Sequence, residues 1–222
     1  MELYNFFPSI AYVLLESLRG ARVTDDNAWV VRAQQGDDDA FTQLVETYQK
    51  PVYNLCYRML GEPDTAEDAA QETFMRAYQN LHRYDSSRAF GTWILSIAAH
   101  YCIDRLRKKK FSVFSMDAED EDGMPFEVAD PASPDPEAES VKLEDRKRLN
   151  LLLKDLDPTD RAAVIMRYWY DYSEIEIAKS LNLTVSAVKS RLHRSRKALA
   201  GMWQAEKSRA HPERRSRESL AF

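Results

Sequence analysis

Residues 172–199 read "YSEIEIAKSLNLTVSAVKSRLHRSRKAL". Ser173, followed three places later by Glu176, has the form of a capping box, in which two side chains satisfy the orphan amides of a helix start. It opens a short helix to about Ser180, whose inner face is expected to carry Ile175, Ile177, Ala178 and Leu181. Ala178 is small, as a close helix crossing requires. Asn182 stands where the turn wants a left-handed residue, and Asn tolerates that backbone better than most side chains. Thr184 then caps a long helix to about Trp203, with Val185, Val188, Leu192 and Leu199 on one face. Ser186, Ser190, His193 and Lys197 project to the other face, with Arg194 beside them. Short helix, turn and long basic helix together read as a helix-turn-helix, whose second helix fits a major groove. There Arg and Lys read guanine, and phosphate contacts hold the register. A solvated basic helix end would leave the capped short helix and its turn unexplained.

Around this motif the charge is segregated. The net charge of the 222 residues is −5. Residues 111–140 hold ten acidic and no basic side chains, and residues 184–205 hold five Arg or Lys and no acidic one. An average over such blocks hides both. Residues 112–136 carry four Pro, a dense acidic run and no periodicity, the composition of a flexible linker. A coil of that length spans roughly 25–30 Å. Elsewhere the apolar period is helical. Phe41, Leu44, Val45, Tyr48, Val52, Leu55 and Met59 mark a helix that follows a break near Gly36 and stops at Gly61 and Pro63. Asp64 with Glu67 suggests a second capping box, opening a helix to about Leu81. Further helices are expected over 137–156 and 158–170.

Residues 91–110, "GTWILSIAAHYCIDRLRKKK", join an apolar helix to a basic end. A membrane span needs about 20 apolar residues, and this stretch is too short and too polar. On a helix, Trp93, Ser96, His100, Asp104 and Arg107 form one narrow stripe. Ile94, Leu95, Ile97, Ala98, Cys102 and Leu106 cover most of the remainder. A Trp on the polar stripe is out of place for a core and could stack on a base. The turn Tyr84 to Phe90 is the expected wall of a pocket for a flipped base.

The start, "YNFFPSIAYVLL" at residues 4–15, is too short to cross a bilayer and has no cleavage signal after it. Cys56 and Cys102 form no C-x-x-C pair, and the four His lack metal spacing, so neither a disulfide scaffold nor a metal site is expected. No nucleophile with a base and no Gly-rich phosphate loop suggests an enzyme.

"DAEDAAQETFMRAY", "FGTWILSIAAHYCIDRLRKKK" and the helix-turn-helix above resemble, in order and spacing, the three signatures of bacterial sigma factors of the extracytoplasmic-function group. The resemblance covers about residues 25–110 and 137–203. It implies an all-α chain of two helical domains, a sigma2-like bundle and a sigma4-like helix-turn-helix, joined by the acidic linker. The implied organisation is an N-terminal extension 1–24, a sigma2-like domain 25–111, the linker 112–136, a sigma4-like domain 137–204 and a basic tail 205–222.

The resemblance further implies a cytoplasmic, non-enzymatic subunit without cofactor or metal. It would be a monomer when free, with no membrane insertion, and would bind core RNA polymerase, through the beta-prime clamp helices and beta flap, and promoter DNA. Family members are often held by an anti-sigma factor and serve stress or envelope-response genes. Carried over by position, Asp64, Asp68, Gln71, Glu72 and Phe74 dock on the clamp helices. Tyr84, Ser86, Ser87, Phe90, Trp93, His100, Asp104, Arg105, Arg107 and Lys108 read and melt the −10 element. Thr184, Ser186, Lys189, Ser190, Arg191, His193, Arg194 and Lys197 read the −35 element. This chain departs from the family in having Asn182 where Gly is usual, Ser186 to Val188 in place of Gly-Thr-Val, and His100 where an amide is common. The second reading, a stand-alone repressor whose N-terminal half dimerises, predicts a dimer that binds duplex DNA without polymerase.

Overall fold

A computed structural model describes residues 26–85, 89–113 and 148–210. The chain is all-α, in two helical units. The N-terminal unit comprises α1 (Asp26–Gln34), α2 (Asp38–Leu60), α3 (Pro63–Asn80), a 3-10 turn (Leu81–Arg83) and α4 (Phe90–Val113). The C-terminal unit comprises α5 (residues 148–154), α6 (Pro158–Trp169), α7 (Glu174–Ser180) and α8 (Val185–Ala210). The expected extension, most of the acidic linker, residues 137–147 and the end of the basic tail lie outside the described residues, as do Ser86 and Ser87.

The helix boundaries have local causes. Gly36 turns the chain at φ 91°, and Asp37 caps α2 by accepting from the Ala40 amide at 3.1 Å. That amide, with Arg32 beside it, holds the Asp37 carboxyl below the usual carboxylate range. Gly61 ends α2 in the left-handed region, its amide donating to the Tyr57 carbonyl at 2.8 Å. The expected box at Asp64 and Glu67 is absent. Pro63 takes the first helical position, where its missing N–H costs nothing, so Glu62 becomes the cap and Asp64 falls inside the first turn.

The box at Ser173 and Glu176 is formed in both directions, Asn182 takes φ 53°, and Thr184 caps α8 by accepting from the Ala187 amide at 3.1 Å. α8 continues through Ala210, past the expected end near Trp203. Ile177, Ala178, Leu181, Val188, Leu192 and Leu199 are buried as expected. Ile175 and Val185, in the first turns of their helices, are not, and Ile175 is 57% exposed. Removing the box with Ser173→Ala is expected to lower unfolding stability by about 1 kcal/mol. Urea denaturation reads this directly, and an unchanged midpoint would mean that water caps α7 equally well.

One apolar core runs through both units. In the N-terminal unit Leu44, Leu55, Met59 and Ile94 are fully buried between α2, α3 and α4. α6 is buried nearly all round, at Thr159, from Arg161 through Met166 and again at Trp169. Such a helix is enclosed on every side, and here α2 and α4 supply one wall while α7 and α8 supply the other.

Polar contacts add to this shared apolar core where the units meet. Arg161 Nη1 donates to the Met59 carbonyl at the end of α2, while Nη2 donates within its own unit to the Lys154 carbonyl at 2.5 Å. The Tyr170 hydroxyl donates to the Pro51 carbonyl at 2.6 Å, and Arg58 lies 5.2 Å from the Trp169 ring centre. Burial pushes the Tyr172 phenol up to about 12, and the Thr92 side chain hydrogen-bonded to it pulls the other way.

Candidate nucleic-acid interface

The stripe expected on α4 is present. Trp93, Ser96 and His100 are half-buried and Asp104 and Arg107 are exposed, while Ile94, Leu95, Ala98 and Cys102 are buried beneath them. The upper stripe faces a cleft of about 380 Å³ lined by Arg76, Asn80, Arg83, Trp93, Ser96, Ile97 and His100. The indole forms one wall. Behind it stand Tyr84 and Phe90, with ring centres 4.9 and 5.6 Å from that of Trp93.

This corrects the expected pocket. Tyr84 is 5% and Phe90 3% exposed, so neither can meet a base. They are drawn inward because Tyr48 of α2 offers an aromatic edge 5.3 Å from Phe90, and Gly91 lets that ring approach. Both rings pack against Trp93 from the core side.

The cleft's polar groups are partly committed. Arg76 donates to Glu72 at 2.7 Å and lies 4.8 Å from the Tyr101 ring centre. Asn80 donates to the Arg76 carbonyl at 2.9 Å. His100 Nδ1 sits 2.8 Å from the Ser96 carbonyl, which can only accept. Nδ1 is therefore the donor in this contact. The other ring nitrogen, Nε2, lies 3.5 Å from Nδ2 of Asn182 in the helix-turn-helix turn. Aromatic wall, cationic rim and amide donors together can hold a stacked base with its phosphates outside.

The basic end of α4 divides. Lys108 is exposed. Arg107 donates to the Thr159 hydroxyl at 3.2 Å. Arg105 turns the other way, donating to the Tyr101 hydroxyl at 3.4 Å and lying 3.9 Å from Asp68, so it joins the α3 face rather than the cleft.

On α3, Asp64, Asp68 and Gln71 are exposed in a row. Glu72 is half-buried in its pair with Arg76, and Phe74 packs against the core. Sequence reasoning gave Phe74 a surface role. The large apolar side chains on this surface are instead Met75, 59% exposed, and Tyr78, 51% exposed. Their spacing of three from one another, continuing the acidic row, was a readable signal. So was the spacing of Arg76, Asn80 and Arg83, which places three polar side chains above the Trp.

On α8, Ser186, Lys189, Ser190, His193, Arg194 and Lys197 are exposed, with Thr184 at the cap. Arg191 is partly buried and bonded to Asp160, with Asp157 at 3.9 Å, so it braces α8 on α6. Among the described residues no group of His, Cys, Asp and Glu could hold a metal ion, and no helix is long and apolar enough to cross a membrane.

Comparison with known proteins finds two matched regions. Residues 44–112 match Sigma-70 region 2 and residues 146–199 match Sigma-70, region 4. The ECF RNA polymerase sigma factor SigW of Bacillus subtilis (strain 168) is 39% identical over 175 residues, covering 77% of this chain and 92% of that protein. The RNA polymerase sigma-H factor of Pseudomonas aeruginosa is 31% identical over 177 residues, covering 78% and 91%. Among solved structures, CnrH in complex with the cytosolic domain of CnrY aligns with TM-score 0.59 at 24% identity, over 82% of this chain and 99% of that one. RpoE of Bartonella quintana, in complex with the anti-sigma factor NepR, aligns with TM-score 0.60 at 20% identity, over 74% and 96%. Both structures share the fold.

Proposed function

This chain belongs to the extracytoplasmic-function group of the sigma-70 family, and from that membership we propose how its surfaces divide the work of starting transcription. As a sigma factor it acts by binding, to core RNA polymerase and to promoter DNA, and not as an enzyme. In our reading the α3 row from Asp64 to Tyr78 docks on the clamp helices of the polymerase. The cleft beside Trp93 takes a base of the melted −10 strand, with Lys108 and the rest of the α4 end on its phosphates. The exposed face of α8 reads the −35 element. The domain limits at 111, 136 and 204 follow the same division. The protein works in the cytoplasm, where its polymerase is, and a protein inhibitor of the kind solved with RpoE of Bartonella quintana holds it until a signal arrives.

One observation carries this reading above a stand-alone repressor. An indole backed by two buried aromatics opens onto a cationic cleft. Duplex readers need no such base-sized cleft, whereas a melted strand does. The deciding experiment is pull-down of core polymerase followed by promoter-dependent run-off transcription. A dimer that binds duplex operator DNA unaided, and gives no run-off product, would establish the repressor instead.

Within the −35 reader, Arg194→Ala is expected to weaken holoenzyme binding by about 1–3 kcal/mol on a cognate −35 sequence only. A gel shift on matched and scrambled DNA checks it. Equal loss on both would make Arg194 a phosphate contact without sequence choice.

A further inference from the structure

We propose that Arg76 is the strand-phosphate contact of this cleft, and that Glu72 and Tyr101 are the positioning residues that aim it. The proposal rests on the reading of the cleft given above and adds which side chains serve it.

α3 presents two stripes. Asp64, Asp68, Gln71, Met75 and Tyr78 form one, the docking row. Glu72, Arg76, Asn80 and Arg83 follow one another at helical spacing and form the next, about 100° round the helix. The last three line the cleft. Glu72, carried over by position as a docking residue, therefore stands on the cleft side, and its carboxylate is committed to Arg76.

The Arg76 guanidinium is held at two places. Its Nε donates to Glu72 at 2.7 Å, and its central carbon lies 4.8 Å from the centre of the Tyr101 ring, a cation–π contact. The Tyr101 hydroxyl is occupied on its other side, accepting from Arg105 at 3.4 Å. A carboxylate on Nε leaves the two Nη groups, which make no hydrogen bond among the described residues. No carboxylate lines the cleft that they border. Two unmatched donors on the rim of an aromatic cleft suit the phosphate beside a stacked base, since the guanidinium fork matches phosphate oxygens. The two holds matter because a free Arg side chain samples many rotamers, and fixing it beforehand removes that cost from binding. The basic end of α4 has less to give at this spot. Arg105 is turned to α3, and Arg107 is bonded to Thr159.

The test uses holoenzyme saturated with core polymerase, which removes any docking defect. Anisotropy of a fluorescent single-stranded −10 oligonucleotide is followed across a salt series. Losing one phosphate contact on a single strand flattens the slope of log affinity against log salt by about 0.7. Arg76→Gln is expected to do this, weakening binding roughly eightfold near 0.05 M salt and little near 1 M. Tyr101→Leu keeps the apolar bulk and should give most of the same change. Combined with Arg76→Gln it should add little, as residues acting through one contact do. Tyr101→Phe keeps the ring and should retain the wild-type slope. Glu72→Ala decides by sign. A carboxylate that only neutralised Arg76 would tighten strand binding when removed, whereas loss of one that aims the guanidinium weakens it. The proposal is overturned if Arg76→Gln leaves the slope unchanged, if Tyr101→Leu and Arg76→Gln add in full, or if Glu72→Ala tightens binding. It is equally overturned if Tyr101→Leu lowers the urea midpoint without touching the salt slope, as packing alone would. Should Tyr101→Leu fold poorly, the Glu72 arm stands by itself. The cleft reading fails separately, as Trp93→Ala with undiminished strand binding, and the slopes of the Arg76 set are read whatever that result.

Discussion

Met75→Asp is expected to weaken association with core RNA polymerase by about thirtyfold or more while leaving the chain folded. Interfaces draw their energy from a few desolvated anchors, enriched in aromatic residues and Met, with charged residues at the rim. On α3 the rim is Asp64, Asp68 and Gln71, and the two large exposed apolar side chains are Met75 and Tyr78. Tyr78 is already ordered, its hydroxyl donating to Asp38 at 2.8 Å and its ring meeting Phe41 edge-on at 4.9 Å. Its placement therefore costs little entropy on binding. A carboxylate at position 75 loses the apolar contact and must be desolvated without a partner, together more than about 2 kcal/mol, or some thirtyfold in Kd. An exposed position affects folding by no more than about 0.5 kcal/mol. Fluorescence titration with core polymerase measures the first effect and urea denaturation the second. Asp68→Ala should act differently, slowing association in a salt-dependent way, because rim charges steer rather than anchor. If Met75→Asp bound normally while Asp68→Ala did not, the α3 face would be electrostatic throughout.

The features legible in the sequence were those with local causes. Ser173 and Glu176 cap each other, Asn182 supplies its own left-handed turn, and Thr184 reaches its own helix amide, so the helix-turn-helix could be placed from adjacent residues. The α4 stripe was equally readable, since helical spacing fixes which side chains share a face. What escaped was decided by distant partners. Tyr84 and Phe90 look like an exposed aromatic turn until Tyr48, some forty residues earlier, draws them inward. Arg105 belongs to a basic run, yet Tyr101 and Asp68 turn it to the α3 side. Arg161 sits in a helix expected from the sequence, yet nothing near it announces that the Met59 carbonyl would accept its hydrogen bond. The cleft shows both kinds of cause. Trp93 was visible as an anomaly on a polar stripe, but its far wall, Arg76 to Arg83, comes from another helix.

Trp93→Ala is expected to cut open-complex formation by about 1–3 kcal/mol, or some five- to 150-fold in the melting equilibrium, the range for removing one base-stacking aromatic. Polymerase binding should be unaffected, because the indole faces the cleft and not the α3 row. The competing role is packing. Trp93 is half-buried against Tyr84 and Phe90, so its loss also leaves a gap and some instability. The two roles separate by what they respond to. A packing defect lowers the urea midpoint and is recovered by working at a temperature where the variant is fully folded. A stacking defect persists there, and appears only when the strand is open. Permanganate reactivity of −10 thymines, in holoenzyme saturated with core polymerase, is the measurement. Trp93→Phe should restore most of the reactivity, since a smaller ring still stacks, whereas Trp93→Leu should restore packing but not melting. Full reactivity with Trp93→Leu would make the indole a strut for the α4 start, and the base would then have to be held by Arg83 and Asn80 alone.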